Sequence, residues 1–198
     1  MGDERRQRLD VEAEFDLKWT AYEQDMLKPY LDDVRKGYFK RYCMRHYTFS
    51  YILCNSPGGN LYRQTKLYSK HEEVLAEFCK SDLHGVRPNT FVWAWQVYAS
   101  VAKFMNMAMS TLDHFYVKHS NLPDLKQQSN RVFYEGVIRP IGPRLLLCDD
   151  PLVQEILCIC APSTQEIAKL KPFVDAFRLR VPQDGDDCLL VRVLSHFF

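Results

Sequence analysis

The stretch from Asn89 to His119 constrains the fold most, because neither proline nor glycine interrupts it after Pro88. On a helix of roughly 45 Å at 1.5 Å per residue, its polar side chains recur at three- and four-residue steps and leave most of the circumference apolar. Such a helix must be covered on several sides, which predicts the central helix of an all-α bundle. The polar stripe consists of Gln96, Ser100, Lys103, Asn106, Ser110, Asp113 and His114.

Helical periodicity dominates the rest of the chain, and no alternation of apolar and polar residues supports a sheet. A first helix is predicted over 9–28, with Pro29 bending or restarting it and Gly37 ending it. The end from Cys188 to Phe198 is compatible with helix or strand. We expect a helical domain over 9–143 and a C-terminal helical extension over 144–198 that packs on it. Further helices are predicted over about 38–54, 61–79, 124–138, 144–160 and 163–179.

Composition indicates a folded protein without a strong global field. The apolar fraction is 46% and the formal net charge is +1, so charge selects neither nucleic acid nor an anionic membrane as partner. Seven cysteines, with no apolar run long enough for a signal peptide or a membrane span, favour a reducing compartment, the cytosol or nucleus. Cys158 and Cys160 lie in an apolar run and are interpreted as buried thiols, because paired zinc ligands are usually roughly two to four residues apart.

Motifs of enzymes are incomplete in this chain. His71-Glu72 resembles the start of a zinc-protease helix, but Leu75 occupies the position of the second histidine. His114 and His119 diverge by roughly 140° on a helix, so they cannot share a metal. No nucleophile is placed beside a base. We therefore expect a protein without catalytic activity, metal or cofactor.

One local charge feature supports an alternative function. The stretch from Arg35 to Arg45 interleaves basic residues with Tyr38, Phe39 and Tyr42, a composition suited to phosphate contacts with aromatic stacking. The other interpretation is a solvated basic face whose aromatic side chains pack inward. Nucleic-acid association through residues 35–45 thus stays open as the second hypothesis.

Several motifs, in order, resemble the first cullin repeat, the amino-terminal helical module of cullin ubiquitin-ligase scaffolds. His46-Tyr-Thr-Phe-Ser-Tyr51 is similar to the Leu-Tyr-x-x-x-Tyr pattern of that repeat's second helix, with His46 in place of leucine. A glycine loop followed by Leu61-Tyr62 is similar to the start of its third helix. Phe15 to Trp19 resembles a motif of the first helix.

The long helix extends this resemblance. Trp95 falls where cullins carry a tryptophan in the fifth helix, and the segment from Ser110 to Val117 is similar to that helix's ending. The resemblance covers roughly residues 15–140. A full cullin adds further repeats and a RING-binding region, which 198 residues cannot hold, so this chain is not expected to assemble a ligase alone.

The resemblance also implies a function and a site. In cullins the second and fifth helices dock a BTB/Skp1-like adaptor, which implies a protein-interaction module here. Tyr51 and Phe115 could equally belong to the core, and both alternatives stay open. His46 introduces a titratable ring where an apolar contact is expected, so the preferred adaptor could differ. The implied partner-binding residues are Cys43, His46, Tyr47, Ser50, Tyr51, Thr111, Leu112, Phe115 and Tyr116.

Overall fold

The computed structural model describes residues 2–38, 44–56, 60–145 and 150–160. These residues are helical almost throughout and include no strand, which confirms the all-α class. The α-helices are α1 (Gly2–Tyr22), α2 (Lys28–Arg35), α3 (Met44–Asn55), α4 (Asn60–Asp82), α5 (Phe91–Ala108), α6 (Lys118–Ser120), α7 (Leu125–Phe133), α8 (Arg139–Leu145) and α9 (Pro151–Cys160).

Within the described residues, three widened, π-helical segments lie next to α-helices. Glu23–Leu27 connects α1 to α2, and Asp113–Val117 leads into α6. Tyr134–Ile138 connects α7 to α8, so this helical run extends to Leu145, beyond the predicted end near residue 138. Pro140 lies in the first turn of α8, where a missing backbone N–H is tolerated.

The N-terminal helices end as their sequence predicts. Pro29 lies in the first turn of α2, directly after the π-helical segment. Gly37 ends the helix with a φ of +82°, a left-handed conformation that glycine adopts without steric cost. Its N–H donates to the Val34 carbonyl oxygen at 2.9 Å. Of the predicted second helix, the structure describes α3 from Met44 onward.

The predicted central helix is interrupted once. A 3₁₀ turn over Pro88–Thr90 precedes α5, and the Arg87 N–H donates to the Thr90 hydroxyl oxygen at 3.1 Å. A turn at residues 109–110 then separates α5 from the helical residues 111–120. Asn121 ends the run in the left-handed region, with a φ of 51°. The expectation of one continuous helix from 89 to 119 was therefore wrong at residues 109–110.

The chain divides into two compact units, Met1–Val74 with Ala99–Lys126, and Leu75–Tyr98 with Gln127–Phe198. Stacked and edge-on rings from α1, α2, α3 and α5 fill the first unit. Tyr22 stacks on Phe49 with ring centroids 4.2 Å apart, and Tyr30 stacks on Phe104 at 3.6 Å. Burial of these rings is the main stabilising contribution in a bundle of this kind.

A buried guanidinium fastens three elements of the first unit. Arg63 of α4 is 3% exposed, and it donates to the Glu14 carboxylate of α1 at 2.6 Å and to the Ser56 carbonyl oxygen at 3.1 Å. Hydrogen bonds from Lys18 and then from Arg63 hold the pKa of Glu14 below its ordinary value. The planar fork of arginine suits this two-partner contact better than a lysine ammonium does.

The second unit has its own aromatic core. Tyr98 and Phe133 pack with ring centroids 4.7 Å apart, and the Tyr98 hydroxyl donates to the Ser129 carbonyl oxygen at 2.6 Å. A Cβ placed on Gly136 would lie 3.0 Å from the Cys79 Cβ, so glycine permits a close approach to α4 there. The helix predicted over 144–160 is described as the end of α8 and as α9. The predicted helix over 163–179 and the segment 188–198 lie outside the described residues.

Candidate functional site

Helix α3 runs alongside α5 in the first unit, in the same direction. The His46 ring meets Phe104 edge-on, with centroids 4.5 Å apart and an interplanar angle of 80°. One turn later, the Ser50 hydroxyl donates to the Ala108 carbonyl oxygen. Equal four-residue steps on both helices keep these pairs in register. The second predicted helix and the central helix therefore come together.

Five of the predicted site residues lie in the interior of this unit. They are between 0% and 7% exposed, so their side chains cannot reach a partner in this conformation. The sequence assigned these residues to a contact surface. The structure instead gives them a supporting role, because they hold in place the helices that carry the exposed side chains. Tyr116, for example, shares a hydrogen bond of 3.1 Å with the Thr65 hydroxyl of α4. The five are His46, Ser50, Thr111, Leu112 and Tyr116.

Three predicted site residues reach the surface. Tyr51 and Phe115 are 46% and 53% exposed, so of the two alternatives left open for them the structure selects the surface. Tyr47 is half-buried and stacks against Tyr51, with ring centroids 6.0 Å apart. The Phe115 ring lies beside His114 at 6.3 Å. Cys43 lies outside the described residues.

Sequence reasoning missed two exposed methionines, Met44 on α3 and Met107 on α5. Met107 precedes Ala108, which bonds Ser50, and it is 39% exposed. Met44 is 67% exposed at the start of α3. The signal for Met107 was its position within the polar stripe, four residues after Lys103, because an apolar side chain there must face outward. We call the outward set, Met44, Tyr47, Tyr51, Met107 and Phe115, the aromatic face.

His46 lies beneath this surface in a desolvated position. Its Nδ1 is 3.1 Å from the Tyr22 hydroxyl oxygen, and burial lowers the pKa of the imidazole. From the sequence, the titratable ring of His46 was expected in the contact surface. In the structure the ring lies inside the bundle, where desolvation favours the neutral imidazole.

A second apolar surface lies on the opposite side of α3. It is a groove of about 360 Å³ between α3 and the end of α1 with its following π-helical segment. Phe49 and Ile52 of α3 line it together with Tyr22 and Met26. Lys18 and Asp25 border it. The groove is separate from the aromatic face because Phe49 and Tyr51 project from α3 in roughly opposite directions.

The described residues include three buried cysteine thiols, Cys54, Cys79 and Cys160. Burial raises the pKa of the Cys54 and Cys79 thiols to about 12, and it raises the pKa of Cys160 further, so these thiols are protonated at neutral pH. No group of three or more metal-ligating side chains occurs within the described part of the chain. His71 is fully buried and bonds the Asn106 side-chain oxygen at 2.8 Å.

The basic stretch 35–45 is described only at its ends. Arg35 pairs with Asp32 at 2.7 Å within the same helix, and Tyr38 is 66% exposed. Residues 39–43, which include Phe39 and Tyr42, lie outside the described residues. The nucleic-acid hypothesis thus stays a prediction from sequence.

Comparison with known proteins adds no relative. The chain matches no protein-family model, no curated protein and no solved structure. Within the described residues, no helix combines the length and apolar character needed to cross a membrane.

Proposed function

We propose that this chain is a non-catalytic protein-interaction module, similar to the first cullin repeat, that binds a BTB/Skp1-fold adaptor through the aromatic face. The observation that carries the proposal is the parallel packing of α3 on α5, which leaves Tyr47, Tyr51 and Phe115 at the surface. By the resemblance, α3 and α5 correspond to the second and fifth helices of the cullin repeat, which dock the adaptor in cullins.

The chemistry of the face suits a protein partner. Tyrosine and phenylalanine bury large areas with few rotatable bonds, so little conformational entropy is lost on binding. Met44 and Met107 add side chains that adapt to an irregular partner surface. The buried contacts of His46 and Ser50 hold the two helices in place, which keeps the exposed rings preorganised for binding.

The first prediction is that removing either ring weakens adaptor binding. Purified BTB-domain and Skp1-fold adaptors are titrated against the full chain by isothermal titration calorimetry. We expect Tyr47→Ala and Phe115→Ala each to raise the Kd of the bound adaptor about tenfold or more, the size typical of a central interface residue. Tyr116→Ala is a poor probe because that side chain is 7% exposed and supports the bundle.

Leu17→Ala is the matched control. Leu17 is an apolar side chain on α1 that is 74% exposed, and it belongs to the same unit but not to the aromatic face. Its variant should bind as the wild type does, while circular dichroism shows that all three variants are folded. The proposal is wrong if no adaptor binds, or if folded Y47A and F115A bind with wild-type Kd.

A further inference from the structure

The elements that carry the aromatic face are almost free of carboxylates. Helix α3 has no aspartate or glutamate, and residues 91–120 contain Asp113 alone. The whole chain, in contrast, has 25 acidic residues against 26 basic ones. A net charge near zero therefore conceals a local separation of charge.

Asp113 does little to offset the cations of this surface. It is half-buried, and its Oδ1 accepts the Leu125 backbone N–H at 3.0 Å, so the carboxylate is directed at the start of α7. The exposed Lys103 lies one turn before Met107, and the exposed Lys118 lies three residues after Phe115. Neither ammonium forms a salt bridge with a carboxylate of the described residues. The exposed imidazoles of His114 and His119 add further donors along the same border.

We propose that the partner of the aromatic face presents an apolar centre bordered by aspartate and glutamate side chains that meet Lys103 and Lys118. This inference rests on the proposed function and specifies the chemistry of its partner. Opposite charges at the border of an interface accelerate encounter and reject partners with like charge, whereas the apolar centre supplies most of the affinity. Adaptors without an acidic border should bind more slowly.

A nucleic acid is the other anionic partner to consider, and the geometry favours it less. Binding to a phosphate backbone usually requires a row of cations along a groove, whereas here Lys103 and Lys118 are separated in the chain by the exposed apolar Met107 and Phe115. Tyr47 and Tyr51 stack on each other at 6.0 Å, which covers part of the ring surface that a base would use. The face therefore resembles a protein interface with charged borders.

The experiment measures association rates by stopped flow with the purified adaptor that the calorimetry identifies. We expect the wild-type association rate constant to fall about tenfold between low and high salt, as electrostatically steered association does. Lys103→Glu with Lys118→Glu should lower the low-salt rate constant about tenfold and remove most of the salt dependence. The dissociation rate constant should change far less, because border charges act mainly on encounter.

The matched control reverses two exposed lysines that do not flank the residues of the aromatic face in the chain, Lys80→Glu with Lys126→Glu. Both double variants change the net charge equally, so only a local effect distinguishes them. Equal association rate constants for the two double variants overturn this inference. The proposed function is tested separately by the calorimetry on Y47A and F115A, so it can stand when this inference fails. Absence of adaptor binding, or tight wild-type binding to a single-stranded RNA or duplex DNA that K103E/K118E abolishes, also overturns it.

Discussion

His46 shows how one buried side chain links stability to pH in this protein. Its ring is 7% exposed, lies edge-on to Phe104 and shares a hydrogen bond with the Tyr22 hydroxyl. Desolvation lowers the pKa of the imidazole in the folded chain, while the unfolded chain keeps the ordinary value near 6.5. Below that ordinary value, the unfolded chain binds more protons than the folded chain at this residue.

The second prediction follows from that difference. The free energy of unfolding should fall as the pH drops from about 7 to about 5, with His46 contributing at most about 1.4 kcal/mol per pH unit. His46→Leu removes the proton-binding ring, so its unfolding free energy should depend less on pH over this range. Urea unfolding followed by circular dichroism measures both slopes. His119→Gln, which removes an exposed imidazole, is the control, and identical slopes for wild type and H46L would refute the linkage.

At the scale of the elements, a hydrogen bond to the Asp113 carboxylate connects the end of the central helical run to the start of α7. Asp113 lies in the π-helical segment Asp113–Val117, and its Oδ1 accepts the backbone N–H of Leu125, the first residue of α7. A carboxylate at a helix N-terminus satisfies a donor that the helix itself cannot satisfy. The contact also fixes where the chain re-enters the bundle after Asn121.

The third prediction concerns this contact. Asp113→Ala should lower the free energy of unfolding by about 1–2 kcal/mol, the usual cost of losing a charged cap. Asp113→Asn keeps an acceptor oxygen and should cost less than the alanine variant. Chemical unfolding at neutral pH measures both values. A D113A variant as stable as the wild type would show that the contact contributes nothing.

Helix existence was predictable from periodicity, whereas helix phase was not. The apolar patterns of α1, α4 and α5 determine which residues face the core. Helix α4 lies where the sequence predicts it, whereas α1 begins at Gly2 instead of residue 9 and α5 ends at Ala108. In an unbroken α-helix Thr111, Leu112, Phe115 and Tyr116 would share one face. The turn at 109–110 and the π-helical segment change the phase, so Phe115 reaches the surface and the other three are buried. Widened turns depend on packing between helices, and the sequence does not reveal them.

The residues of the candidate site were also predictable only in part. Residues four apart are neighbours on a helix, and Tyr47 and Tyr51 accordingly stack on each other in α3. His46 and Ser50 look like surface candidates by polarity, but their hydrogen bonds to Tyr22 and Ala108 are satisfied inside the bundle. Burial of a polar group with a partner is a tertiary property.

At the scale of the whole molecule, charge decides whether the aromatic face binds another copy of this chain. A net charge of +1 gives little long-range repulsion, so an exposed apolar surface could drive self-association. Most homodimers have two-fold symmetry and would pair the face with itself. Such pairing would bring Lys103 and Lys118 of one copy near the same lysines of the other, and like charges at an interface are unfavourable.

The fourth prediction is therefore a salt dependence of opposite sign for self-association and for adaptor binding. Sedimentation velocity should show a monomer at low salt, with any dimer increasing as salt screens the lysines, whereas binding to an acidic-bordered adaptor weakens over the same range. Tyr51→Ala should reduce dimer formation at high salt, because it removes apolar area from the face, and Leu17→Ala should not. A dimer that strengthens as salt is removed would mean that opposite charges meet across it, and then the separation of charge on this face does not select its partner.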